Sequence, residues 1–120
     1  MTHIHWLGAG LSSIPGIRRM ASNGHKLTIW NRTLAKAENS INHVQSSDVS
    51  AKVLDLNQLT SILKYGDIVV SQLSANMHLE IAKICLDKNC HFASSSYISP
   101  ALKELDKQQK RLFQLWYYYM

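Results

Sequence analysis

Short apolar runs alternate along this chain with longer stretches in which apolar residues recur every three to four positions. The short runs predict strands at His3–Leu7, Lys26–Trp30, Ala51–Leu54, Asp67–Ser71 and His91–Ala93. The longer stretches predict helices at Ile14–Asn23, Leu34–His43, Gln58–Lys64, Ala75–Lys88 and Pro100–Lys110. Strand and helix in strict alternation predict an α/β fold, a doubly wound parallel sheet with helices on both faces and right-handed crossovers.

Local chemistry marks several boundaries. Ser99 before Pro100 puts a hydroxyl at a cap and proline at the first helical position, where its missing N–H costs nothing. Asn23-Gly24 supplies a left-handed residue where the first helix should stop. Asn57 precedes Leu59, Ile62 and Leu63, the spacing of a short amphipathic helix. Met77–Leu86 is apolar on nearly all sides, which predicts a well-covered helix beside the sheet. With 120 residues and no internal repeat or linker, the chain reads as one domain, residues 1–120.

The most informative stretch is His5-Trp6-Leu7-Gly8-Ala9-Gly10-Leu11-Ser12-Ser13-Ile14-Pro15-Gly16. A strand runs into Gly-x-Gly and then into a helix. Gly8 permits the tight turn, and Gly10 lets backbone approach a pyrophosphate. The helix start offers free N–H groups and partial positive charge to that anion. Ser13 stands at the third fingerprint position, and Gly16, one turn later, is expected to restore close packing of helix on strand. The second strand ends at Asn31-Arg32-Thr33. An acid there would take the ribose 2′-hydroxyl of NAD, whereas Arg32 suits a 2′-phosphate and Thr33 adds a hydroxyl while capping the next helix. This points to NADP rather than NAD. Asp55-Leu56, after the third strand, either borders the adenine or places Asp55 as a helix cap.

Two further segments narrow the choice: Ser71-Gln72-Leu73-Ser74-Ala75-Asn76-Met77-His78 after the fourth strand, and Ser94-Ser95-Ser96-Tyr97-Ile98-Ser99-Pro100-Ala101-Leu102 after the fifth. With Gly8-Ala9-Gly10, Asn31-Arg32-Thr33 and Glu104-Leu105-Asp106, they resemble the N-terminal NADP-binding domain of the saccharopine dehydrogenase family, over about residues 3 to 107. The resemblance implies a three-layer Rossmann fold of five or six strands. It also implies an oxidoreductase moving hydride between NADP and an imine or secondary amine that joins two amino acids. The implied cofactor residues are Gly8, Gly10, Leu11, Ser12, Asn31, Arg32, Thr33, Asp55, Leu56, Ser71, Leu73 and Ser74. Ser95, Ser96 and Tyr97 are implied beside the nicotinamide and substrate. His78 is the one candidate for proton handling, against a packing or capping role. The chain departs from the family in carrying Ser74 where proline is common. It also stops where family members continue into a second domain, so the isolated chain is expected to bind cofactor without turnover. A free-standing NAD(P)-sensing module and a shikimate dehydrogenase-like enzyme are the alternative readings.

Composition excludes other classes. Thirteen Lys and Arg against eight Asp and Glu give a net +5, but no basic stripe with interleaved aromatics, so nucleic acid is not an expected partner. No apolar run approaches the roughly 18 residues of a membrane span, and no signal peptide is read. Cys85 and Cys90 alone make no disulfide framework and fit a reduced, cytoplasmic setting. His3 and His5 share one side of the first strand, at the end away from the cofactor edge, and read as structural; no metal is expected. The aromatic end, residues 111–120, reads as a sixth strand, a homodimer contact or an atypical tail.

Overall fold

The computed structural model describes residues 2–10, 13–44, 46–94 and the backbone of 112–114. The strands are β1 (His3–Leu7), β2 (Lys26–Asn31), β3 (Val49–Val53), β4 (Ile68–Ser71), β5 (His91–Ser94) and β6 (Leu112–Gln114). The helices are α1 (Ile14–Ser22), α2 (Leu34–Ser40), α3 (Leu56–Ile62) and α4 (His78–Asp87), the last preceded by a 3₁₀ turn at Ala75–Met77. The order across the sheet is β3-β2-β1-β4-β5-β6, and every pair is parallel. This is the doubly wound arrangement expected, with the order reversing between β1 and β4.

Two cores flank the sheet. On one face Ile4, Trp6, Leu27, Ile29, Val70 and Ala93 meet Ile17 and Ala21 of α1 and Ala37 of α2. On the other, Leu7, Trp30, Val69 and Phe92 meet Leu59 of α3 and Ile81 and Cys85 of α4. Burying each large aliphatic side chain is worth roughly 1.5–3 kcal/mol. That burial, rather than intrinsic propensity, holds the seven-residue helices α2 and α3.

The differences from the predicted boundaries have local causes. Helix α3 starts two residues earlier than Gln58, because the Asp55 carboxylate accepts the N–H groups of Asn57 (2.9 Å) and Gln58 (3.3 Å). Helix α2 ends at Ser40 rather than His43; the Ser40 hydroxyl donates to the Ala37 carbonyl at 2.6 Å inside the last turn. The first turn of the segment predicted as Ala75–Lys88 is the 3₁₀ turn, so the α-helix begins at His78. Strand β3 lies two residues earlier than Ala51 at its start. The helix predicted at Pro100–Lys110 lies outside the described residues. The tail does supply a sixth strand, with Phe92, Ala93 and Ser94 opposite Leu112, Phe113 and Gln114.

Gly16 closes the contact of α1 on β1. A Cβ at this position would sit 2.6 Å from the tip of the Trp6 indole. Overpacking of this kind costs about 1–3 kcal/mol, while the helix preference of alanine returns about 1 kcal/mol. Gly16→Ala is therefore expected to lower the urea midpoint by the equivalent of roughly 1–2 kcal/mol at unchanged slope. An unchanged midpoint would mean that Trp6 moves aside freely.

Candidate functional site

The carboxyl ends of the strands meet at one edge, and the turn after β1 is its centre. Gly8 has φ of +100°, which other residues adopt only under strain. Its N–H donates to the Trp30 carbonyl at 2.8 Å, and the Gln72 N–H donates to the Leu7 carbonyl at 2.8 Å. The turn is thus anchored to β2 on one side and to the loop after β4 on the other. Gly10 is different: it is exposed, and a Cβ there would meet nothing within 4 Å. Among the described residues, no atom occupies the space a side chain here would take. The opening suits close approach of a diphosphate to backbone. Leu11 and Ser12 lie outside the described residues.

Asn31 works on the turn rather than in the crevice. Its Oδ1 accepts the Ala9 N–H at 3.1 Å, and its Nδ2 donates to the Thr33 carbonyl at 3.0 Å. Both ends of the amide are engaged, so Asn31 ties the glycine turn to the loop after β2. Thr33 occupies the cap position of α2, but its hydroxyl makes no capping bond, contrary to the expectation. Arg32 is exposed, and its guanidinium lies 3.8 Å from the Met77 sulfur, across from the loop after β4. A groove of about 210 Å³ beside the turn is lined by Ala9, Gly10, Ile14, Lys36, Asn39 and Ser40. Lys36 went unnoticed in the sequence. It lies one helical turn beyond Asn-Arg-Thr, and it makes no ion pair among the described residues.

Asp55 caps α3, its Oδ1 accepting the N–H groups of Asn57 and Gln58; Leu56 packs partly buried against the core. Ser71 is fully buried at the end of β4, and its hydroxyl accepts the Leu73 N–H at 3.4 Å, so it shapes the loop from beneath. Leu73 is half-buried, while Ser74 is exposed and its hydroxyl donates to Asn76 Oδ1. Ser95, Ser96 and Tyr97 lie outside the described residues.

His78 does not face the crevice as a solvent-accessible proton carrier. It is fully buried, edge-on to Phe92, with Nδ1 3.1 Å from the Ser94 hydroxyl. Burial holds its pKa below the usual value, although the Leu73 backbone favours the charged form. Burial likewise pushes the Cys85 and Cys90 thiols up, so both stay protonated and pack as apolar groups.

At the opposite end of the sheet, His3, His5 and Asp67 come together, with donor atoms within 4.8 Å of one another. Asp67, 62 positions from His5, is the member sequence spacing did not show. The Trp30 indole N–H donates to His5 Nδ1 at 3.2 Å, which leaves the ring hydrogen on Nε2, 3.4 Å from the Asp67 carboxylate. An imidazole with both nitrogens so engaged serves a hydrogen-bonded chain across β2, β1 and the start of β4. It has no lone pair to offer a cation.

The profile of the family described as "Saccharopine dehydrogenase NADP binding domain" matches residues 4–114. The chain belongs to that family. NADP is accordingly the cofactor of this domain. It is 33% identical over 103 residues to the NADP-dependent, L-glutamate-forming saccharopine dehydrogenase of Saccharomyces cerevisiae, covering 85% of this chain and 23% of the yeast protein. The solved apo structure of the L-Glu-forming enzyme from that yeast superposes with a TM-score of 0.74 at 30% identity, over 88% of this chain and 24% of that one. The domain thus spans about a quarter of the length of these relatives. Shikimate dehydrogenase of Mycobacterium tuberculosis matches with a TM-score of 0.67 but 16% identity, over 94% of this chain and 45% of that one, a likeness of fold alone.

Proposed function

We propose that this NADP-binding domain serves a longer saccharopine dehydrogenase-type oxidoreductase and contributes the cofactor wall of its active site. Gly8 and Gly10 would hold the diphosphate, and Arg32 and Lys36 would supply the cations for the 2′-phosphate. The nicotinamide end would extend over the loop after β4 and the end of β5. Bound there, NADPH would supply a hydride to the carbon of an imine joining two amino acids, with the proton for its nitrogen coming from solvent or from the rest of the longer protein. The domain alone is expected to bind without turnover. Hydride transfer needs the acceptor held over the nicotinamide and shielded from water, and one doubly wound domain forms one wall of such a cleft.

The observation that carries this reading is the space that the described residues leave over Gly10, in a groove lined by Lys36, with Arg32 exposed on the loop after β2. Hydrogen bonds to a charged group contribute about 1.5–3 kcal/mol each. Arg32→Ala and Lys36→Ala are each expected to weaken NADPH binding about tenfold while leaving NADH binding unchanged. Titration of the nucleotide fluorescence checks this. Equal affinity of the unsubstituted chain for NADPH and NADH would remove the assigned role of both cations.

No helix among the described residues is long and apolar enough to cross a membrane. We place the protein in the cytoplasm, where its two buried thiols stay reduced. A homodimer through the segment following β6 is consistent with that strand's place at the end of the sheet order.

A further inference from the structure

We infer that His78 is a positioning residue for the nicotinamide half of the cofactor, acting through Ser94 and the loop after β4. The inference rests on the cofactor reading above. Its starting point is cost. An imidazole and a hydroxyl are buried on the α4 side of the sheet, the ring edge-on to Phe92. Polar groups placed there cost free energy unless they are bonded, and an apolar pair of the same shape would serve packing equally well.

The placement of the two groups explains why they are kept. Ser94 ends β5 and lies opposite Ser71 at the end of β4; Ser71 in turn lies opposite Leu7, the residue before Gly8. These three strand ends form the floor of the crevice on the side where the strand order reverses. His78 begins α4 directly beneath that floor. Its Nδ1 engages Ser94 at 3.1 Å. Its Nε2 is buried and makes no hydrogen bond of normal geometry among the described residues, yet the Leu73 backbone lies close enough to act on the ring. Leu73 is itself held through its N–H by Ser71. One buried ring therefore sits between the last residue of β5 and the loop after β4, the two segments over which the nicotinamide half extends. The adenosine half would lie on the β2 side, with Arg32 and Lys36; Arg32 reaches this region only at the Met77 sulfur, 3.8 Å away, and no hydrogen bond joins it to His78, Ser94 or Leu73 among the described residues.

That separation makes the test. NADPH carries both halves of the cofactor, whereas 2′,5′-ADP carries the adenosine half with both phosphates. Calorimetric titration of the chain with each ligand is expected to show His78→Leu weakening NADPH about tenfold while 2′,5′-ADP stays within about twofold. Ser94→Ala is expected to move the ratio the same way. His78→Asn, whose amide can still bond the Ser94 hydroxyl, is expected to recover most of the loss. Should His78→Leu fail to fold, the Asn and Ser94→Ala variants carry the comparison. Equal weakening of both ligands, or an unchanged ratio in Ser94→Ala and His78→Leu, would show a packing role only and overturn the inference. Failure of the unsubstituted chain to bind NADPH would instead overturn the cofactor reading, and this inference with it.

Discussion

Gly10→Ala is expected to leave the fold intact and to weaken NADPH binding about ten- to a hundredfold. The two halves of that expectation have separate causes. A Cβ at Gly10 meets no atom of the described residues within 4 Å, and no positive φ is imposed there, so these residues leave room for a methyl group. Alanine also restricts the unfolded chain, which stabilises by about 0.4–1 kcal/mol where the conformation is compatible. On the proposed cofactor placement, the same methyl group would stand where backbone approaches the diphosphate and would lengthen charge-assisted hydrogen bonds worth about 1.5–3 kcal/mol. Gly16→Ala is the converse control, since its methyl group strikes Trp6 inside the core and lies away from the crevice. Measuring the thermal midpoint and the NADPH affinity of both variants separates a binding glycine from a packing glycine. If Gly10→Ala binds NADPH as tightly as the unsubstituted chain, the diphosphate does not rest on this turn.

The second large effect is loss of stability in mild acid. His5 is fully buried, and burial holds its pKa down to about 4 from 6.5. The neighbouring His3 pushes the same way, and Asp67 pulls against both without overcoming burial. In the unfolded chain the ring titrates near its ordinary value, about 6.5. Between these values the unfolded state carries a proton that the folded state lacks, so stability falls as pH drops from 6.5 towards 4 and is complete above 6.5. A shift of this size corresponds to roughly 3 kcal/mol, a large share of a typical 5–15 kcal/mol. His3 and His78 are also held below their usual value and add to the same trend. Urea unfolding at pH 7, 5.5 and 4.5 checks it, and His5→Gln is expected to flatten the profile. A midpoint that stays constant over this range would show that His5 is free to accept a proton in the folded state.

Much of the architecture was legible because parallel strands and their helices are written in local apolar spacing. All five predicted strands form, β1 with the predicted bounds. The glycine turn was legible too, because Gly8 meets a backbone requirement that belongs to one position. Helix ends were less so. Asp55 has the same side chain whether it caps α3 or borders a ligand, and only the observed bonds to Asn57 and Gln58 decide between the two. That the Asn31 amide also ties the turn to the next loop was not legible, since what it reaches depends on the packing of β1 beside β2. Lys36 needed the fold as well, because a cation on α2 matters only once the groove beside Gly10 exists.

By itself, the order of residues determined the sheet class, the glycine turn and the family, and with the family NADP as the cofactor. The first two depend on neighbours a few positions apart, where chain geometry leaves little freedom. The tertiary structure alone decided the burial of His78 against Ser94, the chain from Trp30 through His5 to Asp67, and the space left open over Gly10. Those contacts join residues 16 to 62 positions apart. Whether a polar group ends in water, in a core or against a ligand is set by what packs around it, which no local pattern encodes.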